Sequence, residues 1–303
     1  MVNLENEIER KTEEMRNSGI YPVVNLEIFD TVSDLTLSDW TIEHETDVLE
    51  KYTEYLETVN NLPKIKKNHF LHAIKKFEIQ KNHALENEDP YMISLYMEGK
   101  KQYAIDYLLR NQRYPLESLT REEIIKAHKK ILDGTTSKKF IKNDYRTNNL
   151  AYVQKSGRQP QQIHYFSLPC QDIEEAIMNL TIYYNGIFHE DYTLIKSTII
   201  HGLVGALQIF NDGNTRFART LQALKIYELT EKNLWYYFEL PAFYTSDSYF
   251  DYREQYRNKI ADIAINPDNE SWNNWVNFNL NRIEDQVFYM NSKLENYQKK
   301  YTR

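Results

Sequence analysis

Apolar residues recur at helical spacing along most of the chain, and only one stretch breaks into the alternating pattern of strands. The opening "MVNLENEIERKTEEMRN" reads as a short, charged amphipathic helix, followed by a less regular stretch around "YPVVNLEIFDTVSDLTLSDW". A second helix is predicted from Asp39, with Ser38 or Asp39 as its cap, and Val48, Tyr52, Tyr55 and Leu56 on one face. Between residues 69 and 109 two more helices are expected, broken at "ENEDP", where Pro90 suits the first turn of the second. In "ESLTREEIIKAHKKILDG", Thr120 and Glu123 have the spacing of a capping box. Ile124, His128 and Ile131 share a face, and Gly134 supplies the stop.

Residues 140–168 differ. The turn residues "KSGRQPQ" are flanked by the β-prone runs "LAYV" and "IHYF", which predicts a β-hairpin. Helices are expected again over 172–184, 191–210 and 214–230, and two more in the tail. The 191–210 helix is apolar nearly all round, so it should be the central, buried one. The fold class is therefore all-α with one β-hairpin.

Composition narrows the function. Hydrophobic residues are 41% and charged residues 27%, the balance of a globular domain. The eight Gly and eight Pro are few for an all-β fold. A net charge of −7 argues against a broad basic surface, hence against a general nucleic-acid or anionic-membrane binder. The single cysteine, Cys170, excludes an internal disulfide framework and a Cys-based zinc site, and points to a reducing compartment. No apolar run approaches the roughly 18–20 residues that span a bilayer. With no basic-then-apolar leader at the start, a cytoplasmic location is expected.

The chemistry concentrates in "QIFNDGNTRFAR", residues 208–219. A buried helix ends near Phe210, a short turn follows, and a new helix begins at once. Gly213 permits positive φ and close ligand approach. The free N–H groups and dipole of the new helix favour an anion. Arg216 and Arg219 lie three apart on one face, and two guanidinium forks suit a polyphosphate. Asp212 is an oxygen donor placed to hold Mg²⁺ bridging phosphates. Taken on spacing alone, a capped interhelix turn with solvated arginines explains the segment equally well.

The segment resembles the signature loop of the Fic (Fido) family, His-x-Phe-x-Asp/Glu-Gly-Asn-Gly-Arg-x-x-Arg. Phe210, Asp212, Gly213, Asn214, Arg216 and Arg219 match it in register. Tyr145–Arg146 ahead of the hairpin, the hairpin itself and the 120–134 helix extend the likeness over roughly 75–235. The resemblance implies a Fic-type helical core over 75–235, with an N-terminal helical extension (1–74) and a C-terminal one (236–303). It implies transfer of AMP from ATP–Mg²⁺ to a hydroxyl of a target protein. Asp212 would hold the metal, Gly213 and Asn214 the phosphates, Arg216 the α- or β-phosphate and Arg219 the γ-phosphate. The flap (148–168) would dock the target by main-chain pairing along Ala151, Tyr152 and Val153. "NHALEN" at 82–87 is similar to the family's inhibitory helix (here 75–89), with Glu86 as the glutamate that pairs with Arg219.

The chain departs from the pattern at Gln208, where the family has its general-base His; Thr215 and Ile209 replace the usual Gly and Pro. An amide does not titrate in water, and general-base catalysis contributes on the order of 10²–10⁴-fold. His201 lies about 10 Å back along the same helix, too far to substitute, and reads as a core hydrogen-bonding residue. His164, in the hairpin, reads as flap packing. Gln208 thus marks a nucleotide-binding pseudoenzyme, a transferase needing no strong base, or an introduced substitution. The drift at Thr215 and Ile209 favours the first two. The reading from another class is an interaction module docking through the aromatic tail "LWYYFELPAFYTSDSYFDYREQY".

Overall fold

The computed structural model describes residues 2–73, 119–133, 141–149, 151–154, 163–186, 193–229 and 249–301. Within these, helices α1 (Val2–Asn17), α2 (Glu27–Ser33), α3 (Asp39–Asn60) and α4 (64–73) come first. Then follow α5 (Arg121–Leu132), β1 (Tyr152–Gln154), β2 (Ile163–Phe166), α6 (Ile173–Asn185), α7 (Thr193–Leu207), α8 (Asn214–Leu229), α9 (Tyr249–Ile265) and α10 (Asn269–Tyr301). The fold is all-α with a single antiparallel hairpin among the described residues.

Helix α7 is the axis of the molecule. Its apolar residues, Leu194 to Leu207, are buried on every side, as its sequence demands. α2, α3, α6, α8, α9 and α10 all pack on it. Gly202 lets α10 approach closely: a Cβ there would stand 2.6 Å from Trp275 Nε1 and 2.8 Å from the Trp272 ring. Trp275, one of two fully buried tryptophans among the described residues, also donates to the Thr198 carbonyl at 2.8 Å and so satisfies its polar edge on α7.

The N-terminal and C-terminal helices hold each other. Asn269, Asn273 and Asn277 recur at intervals of four on α10 and bond Thr36 N, Ser38 N and Thr41 Oγ1. Lys51 pairs with Glu284 farther along, and Tyr297 donates to the Lys66 carbonyl beyond that. Partner numbers rise together on both sides, so α3 and α10 run parallel.

Sequence and structure agree on most element boundaries and differ at three. Ser38 is the α3 cap, accepting from Thr41 N, and the Thr120–Glu123 capping box is formed. The stop expected at Gly134 and the turn expected at Pro90 lie outside the described residues. Helix α7 ends at Leu207, three residues short of expectation, because Gln208 takes a left-handed φ of 50°. A 3-10 turn at Cys170–Asp172 precedes α6. The irregular stretch after α1 contains α2, which buries Ile28, Phe29 and Val32 although Leu26 gives it no side-chain cap. That stretch also holds Val23, which bridges to Phe166.

Candidate functional site

The loop between α7 and α8 is built from its own side chains. Gly213 adopts φ 79°, and a Cβ there would meet Leu132 Cδ2 at 3.1 Å and His128 Nε2 at 3.3 Å. Both the backbone and the wall behind it therefore require glycine. Asn214 opens α8 and clamps Phe210 from both sides: Oδ1 accepts from Phe210 N at 2.9 Å and Nδ2 donates to Phe210 O at 2.8 Å. Its side chain is thus spent on the loop, which leaves its backbone N–H as the group able to meet an anion. Asp212 Oδ1 accepts from Gly213 N at 2.5 Å and lies 3.7 Å from Arg216 Nη2. Arg216 is 7% exposed, whereas the Asp212 side chain remains 42% exposed.

These residues enclose a cavity of about 140 Å³ lined by Gln208, Asn211, Asp212, Gly213, Asn214, Thr215 and Arg216. It sits at the α8 N-terminus, where the helix dipole and unpaired N–H groups attract negative charge. Arg219, one turn farther along, is half-buried and adds positive potential at His201.

Gln208 lines this cavity, but its amide nitrogen is engaged by its own helix. Gln208 Nε2 donates to Gly205 O at 2.6 Å, folding the side chain back on the last turn of α7. The main-chain carbonyl of the same residue accepts from Arg146 Nε at 2.8 Å. Arg146 is a buried hub that the sequence marked without assigning it a task. Its backbone N–H reaches Ile209 O at 3.2 Å, Nη1 reaches Asn148 O at 2.6 Å, and Nη2 reaches Leu168 O. One guanidinium thereby joins the motif loop to both roots of the hairpin. Burial lowers its pKa to about 10, with the nearby Arg16 charge acting the same way; the group stays cationic at neutral pH.

The hairpin has one edge covered. Phe166 N donates to Pro22 O at 2.8 Å and Val24 N to Phe166 O at 3.0 Å, so the 22–24 segment lies along β2. Among the described residues nothing pairs with the outer edge of β1, where Tyr152 is exposed. Ala151 O faces the β2 side, where it accepts from Ser167 N and Oγ.

The histidines separate clearly. His201 is buried in the core, with Nδ1 2.6 Å from Gln222 Oε1 and Nε2 3.0 Å from the Tyr256 hydroxyl. Burial lowers its pKa to about 4, so it is a neutral core residue. His164 lies on β2, half-buried in the hairpin. His128 stands directly behind the loop, a position that its place on the buried face of α5 did not announce. Glu86 and the rest of 75–89 lie outside the described residues.

Residues 118–224 match the model of a family described as the Fic/DOC family. Over this stretch, about a third of the chain, the likeness is to the Fic/DOC family. Its fold is similar to the crystal structure of a Fic family protein from Desulfovibrio desulfuricans G20, at TM-score 0.59 and 17% identity, covering 85% of this chain and 76% of that one. A segment of Fic-1 from C. elegans matches at TM-score 0.45 and 12% identity, covering 82% and 72%. No curated protein matches the chain. The matched stretch contains α5, the hairpin, α6, α7 and the loop with most of α8, so the cavity at Gln208–Arg216 is built within it.

Proposed function

We propose that this Fic-type chain binds ATP with Mg²⁺ through the loop 210–219, and that AMP transfer to protein hydroxyls is weak or lost. The observation that carries the reading is the contrast within one loop. Gly213, the α8 N-terminus and Arg216 surround a polar cavity suited to an anion, while the Gln208 amide nitrogen is turned back on Gly205 O. AMP transfer forms a bond from the target oxygen to the α-phosphorus and releases pyrophosphate. The hydroxyl proton needs an acceptor, and a carboxamide, which does not titrate in water, cannot serve as that base.

The donor set suits Mg²⁺ held between protein and phosphates. Asp212 is a partly exposed carboxylate, and the described residues hold no group of three acidic, His or Cys ligands. Mg²⁺ is commonly held by one or two carboxylates plus substrate phosphates and water, which is what Asp212 could provide. The metal would neutralise phosphate charge. Gly213 and Asn214 would cradle the phosphates, Gly213 by leaving room for close approach and Asn214 through its N–H, with Arg216 on the α- or β-phosphate and Arg219 on the γ-phosphate. Ala151, Tyr152 and Val153 would dock an extended target segment on the open edge of β1, where its main chain continues the sheet. Glu86 is the inhibitory residue of this reading, through an ion pair with Arg219.

The test is transfer of label from ATP tagged at the α- or γ-phosphate, with Mg²⁺ and a cytosolic extract. The unchanged chain is compared with Glu86→Gly, Gln208→His and both together. The reading expects α-label on protein only where Gln208→His is present, most strongly in the double variant. Transfer by a chain that keeps Gln208 would overturn it in favour of an active transferase with altered chemistry, and the tagged phosphate would identify the group moved.

A further inference from the structure

His128 lies on α5, about 85 residues before the loop, yet three independent contacts join it to the loop. Its ring stacks on Phe210 with centroids 3.6 Å apart and planes 6° from parallel. Phe217, the first residue of α8 to close a helical bond, packs edge-on against it at 6.1 Å and 88°. Nε2 lies 2.6 Å from the carbonyl oxygen of Asp212. Beside that bond, Gly213 leaves space that a Cβ would take from Nε2 and Leu132.

The hydrogen bond has only one possible polarity. A carbonyl oxygen cannot donate, so Nε2 carries the proton and the neutral ring is the Nε2–H tautomer. Among the described residues Nδ1 has no hydrogen-bond partner, so the Nε2–H bond is the polar contact that the ring makes there. A buried histidine that spends its only N–H on the peptide of a left-handed turn is placed to orient that turn. Fixing the Asp212 carbonyl on the α5 side sets the 212–213 peptide plane. The Gly213 N–H on the far side of that plane is then turned toward the Asp212 carboxylate that accepts from it, and both residues line the cavity.

We propose that His128 is a positioning residue of the anion seat. It touches no ligand; through the Nε2–H bond to Asp212 O and the stack on Phe210 it holds the Asp212–Gly213 peptide in its binding orientation. The inference rests on the reading of the loop as a phosphate seat, but its first readout does not depend on any ligand.

Two substitutions separate the two contacts. His128→Phe keeps a flat ring against Phe210 and removes the donor. His128→Gln removes the ring and keeps an amide N–H at about the reach of Nε2. Amide hydrogen exchange by mass spectrometry is read on the peptide spanning 210–217, with peptides from α7 and α10 as controls for global stability. Loss of a buried bond that leaves its carbonyl unpaired predicts exchange at least about 10-fold faster in His128→Phe, with controls unchanged. His128→Gln should restore most of the protection. Titration with Mg²⁺–ATP and, separately, pyrophosphate should show affinity falling about 10-fold in His128→Phe and recovering within about 3-fold in His128→Gln.

Unchanged loop protection in His128→Phe overturns the proposal, as does an equal loss in both variants, which would make His128 a packing residue only. An unchanged affinity beside a loosened loop overturns it as well. If the unchanged chain binds neither probe, the nucleotide reading fails while the exchange data still decide whether His128 orients the loop.

Discussion

Gln208 Nε2 donates to the carbonyl of Gly205 across 2.6 Å while the Gln208 backbone sits at φ 50°. A residue other than glycine in the left-handed region costs roughly 1–2 kcal/mol, and the side-chain bond offsets part of that. The pairing explains why α7 stops at Leu207 and why the first motif position faces its own helix. Gln208→Gly relieves the backbone and loses the bond, so its stability should stay within about 1 kcal/mol of the unchanged chain. Gln208→Val loses the bond and puts a β-branched residue at positive φ, which should cost about 2–3 kcal/mol. Urea denaturation of the two variants checks the ordering, and equal stabilities would remove strain at Gln208 from the account.

Gly213→Ala should be harmful on two grounds. The positive φ costs about 1 kcal/mol or more for a residue with a Cβ, and that atom meets Leu132 and His128 at 3.1 and 3.3 Å. The expected loss is about 2 kcal/mol, with loss of pyrophosphate binding because the turn must open to relieve the contact. A variant with native stability and affinity would mean that the wall formed by α5 yields.

Arg146 supplies three side-chain bonds to three carbonyls, at Gln208, Asn148 and Leu168. A lysine has one compact ammonium and cannot span that set. Arg146→Lys should therefore strand at least one buried carbonyl and cost about 2–3 kcal/mol in denaturation. Its particular signature should be faster hydrogen exchange in both β1 and the 208–210 peptide, since the guanidinium couples them. Exchange changing in only one of the two would refute the coupling.

What could be read from the chain in advance divides along physical lines. The capped helix α5, the apolar α7 and the alternating hairpin were legible because periodicity and caps are local signals, as with Thr120–Glu123. The loop was legible because its glycine and arginines stand within a dozen residues. Three features were not. α2 lacks a side-chain cap, and its helical state depends on burying Ile28, Phe29 and Val32 against distant elements. The premature end of α7 depends on a backbone angle that no residue preference at Gln208 dictates. His128 and Arg146 act over 84 and 62 residues of separation, and a local pattern carries no such information. The available hint was chemical: a histidine on the apolar face of α5 must find a polar partner somewhere.

Glu45 gives the molecule a titratable joint. It projects from α3 into the start of α7, where Oε1 accepts from Leu194 N and from Ile195 N at 2.9 Å. Burial pushes its pKa from 4.5 up to about 7, against the two backbone bonds that favour the anion. The folded state therefore holds this proton more tightly than the unfolded chain does. Its contribution to stability is fullest below pH about 4.5, declines as pH rises toward about 7, and stays low above that. At 1.36 kcal/mol per pKa unit the full span is about 3 kcal/mol, an upper value for a partly relaxed site. Glu45→Gln keeps an oxygen to accept the same two N–H groups and removes the titration. The variant should match the unchanged chain near pH 4.5 and exceed it at pH 8, by up to about 3 kcal/mol in denaturation. Taking the difference between the two chains cancels the opposite contribution of the neutral, buried His128 and His201, whose protonation destabilises the fold toward pH about 4. A difference that is constant with pH would show that Glu45 keeps its ordinary pKa and that its carboxylate is solvated in the native state.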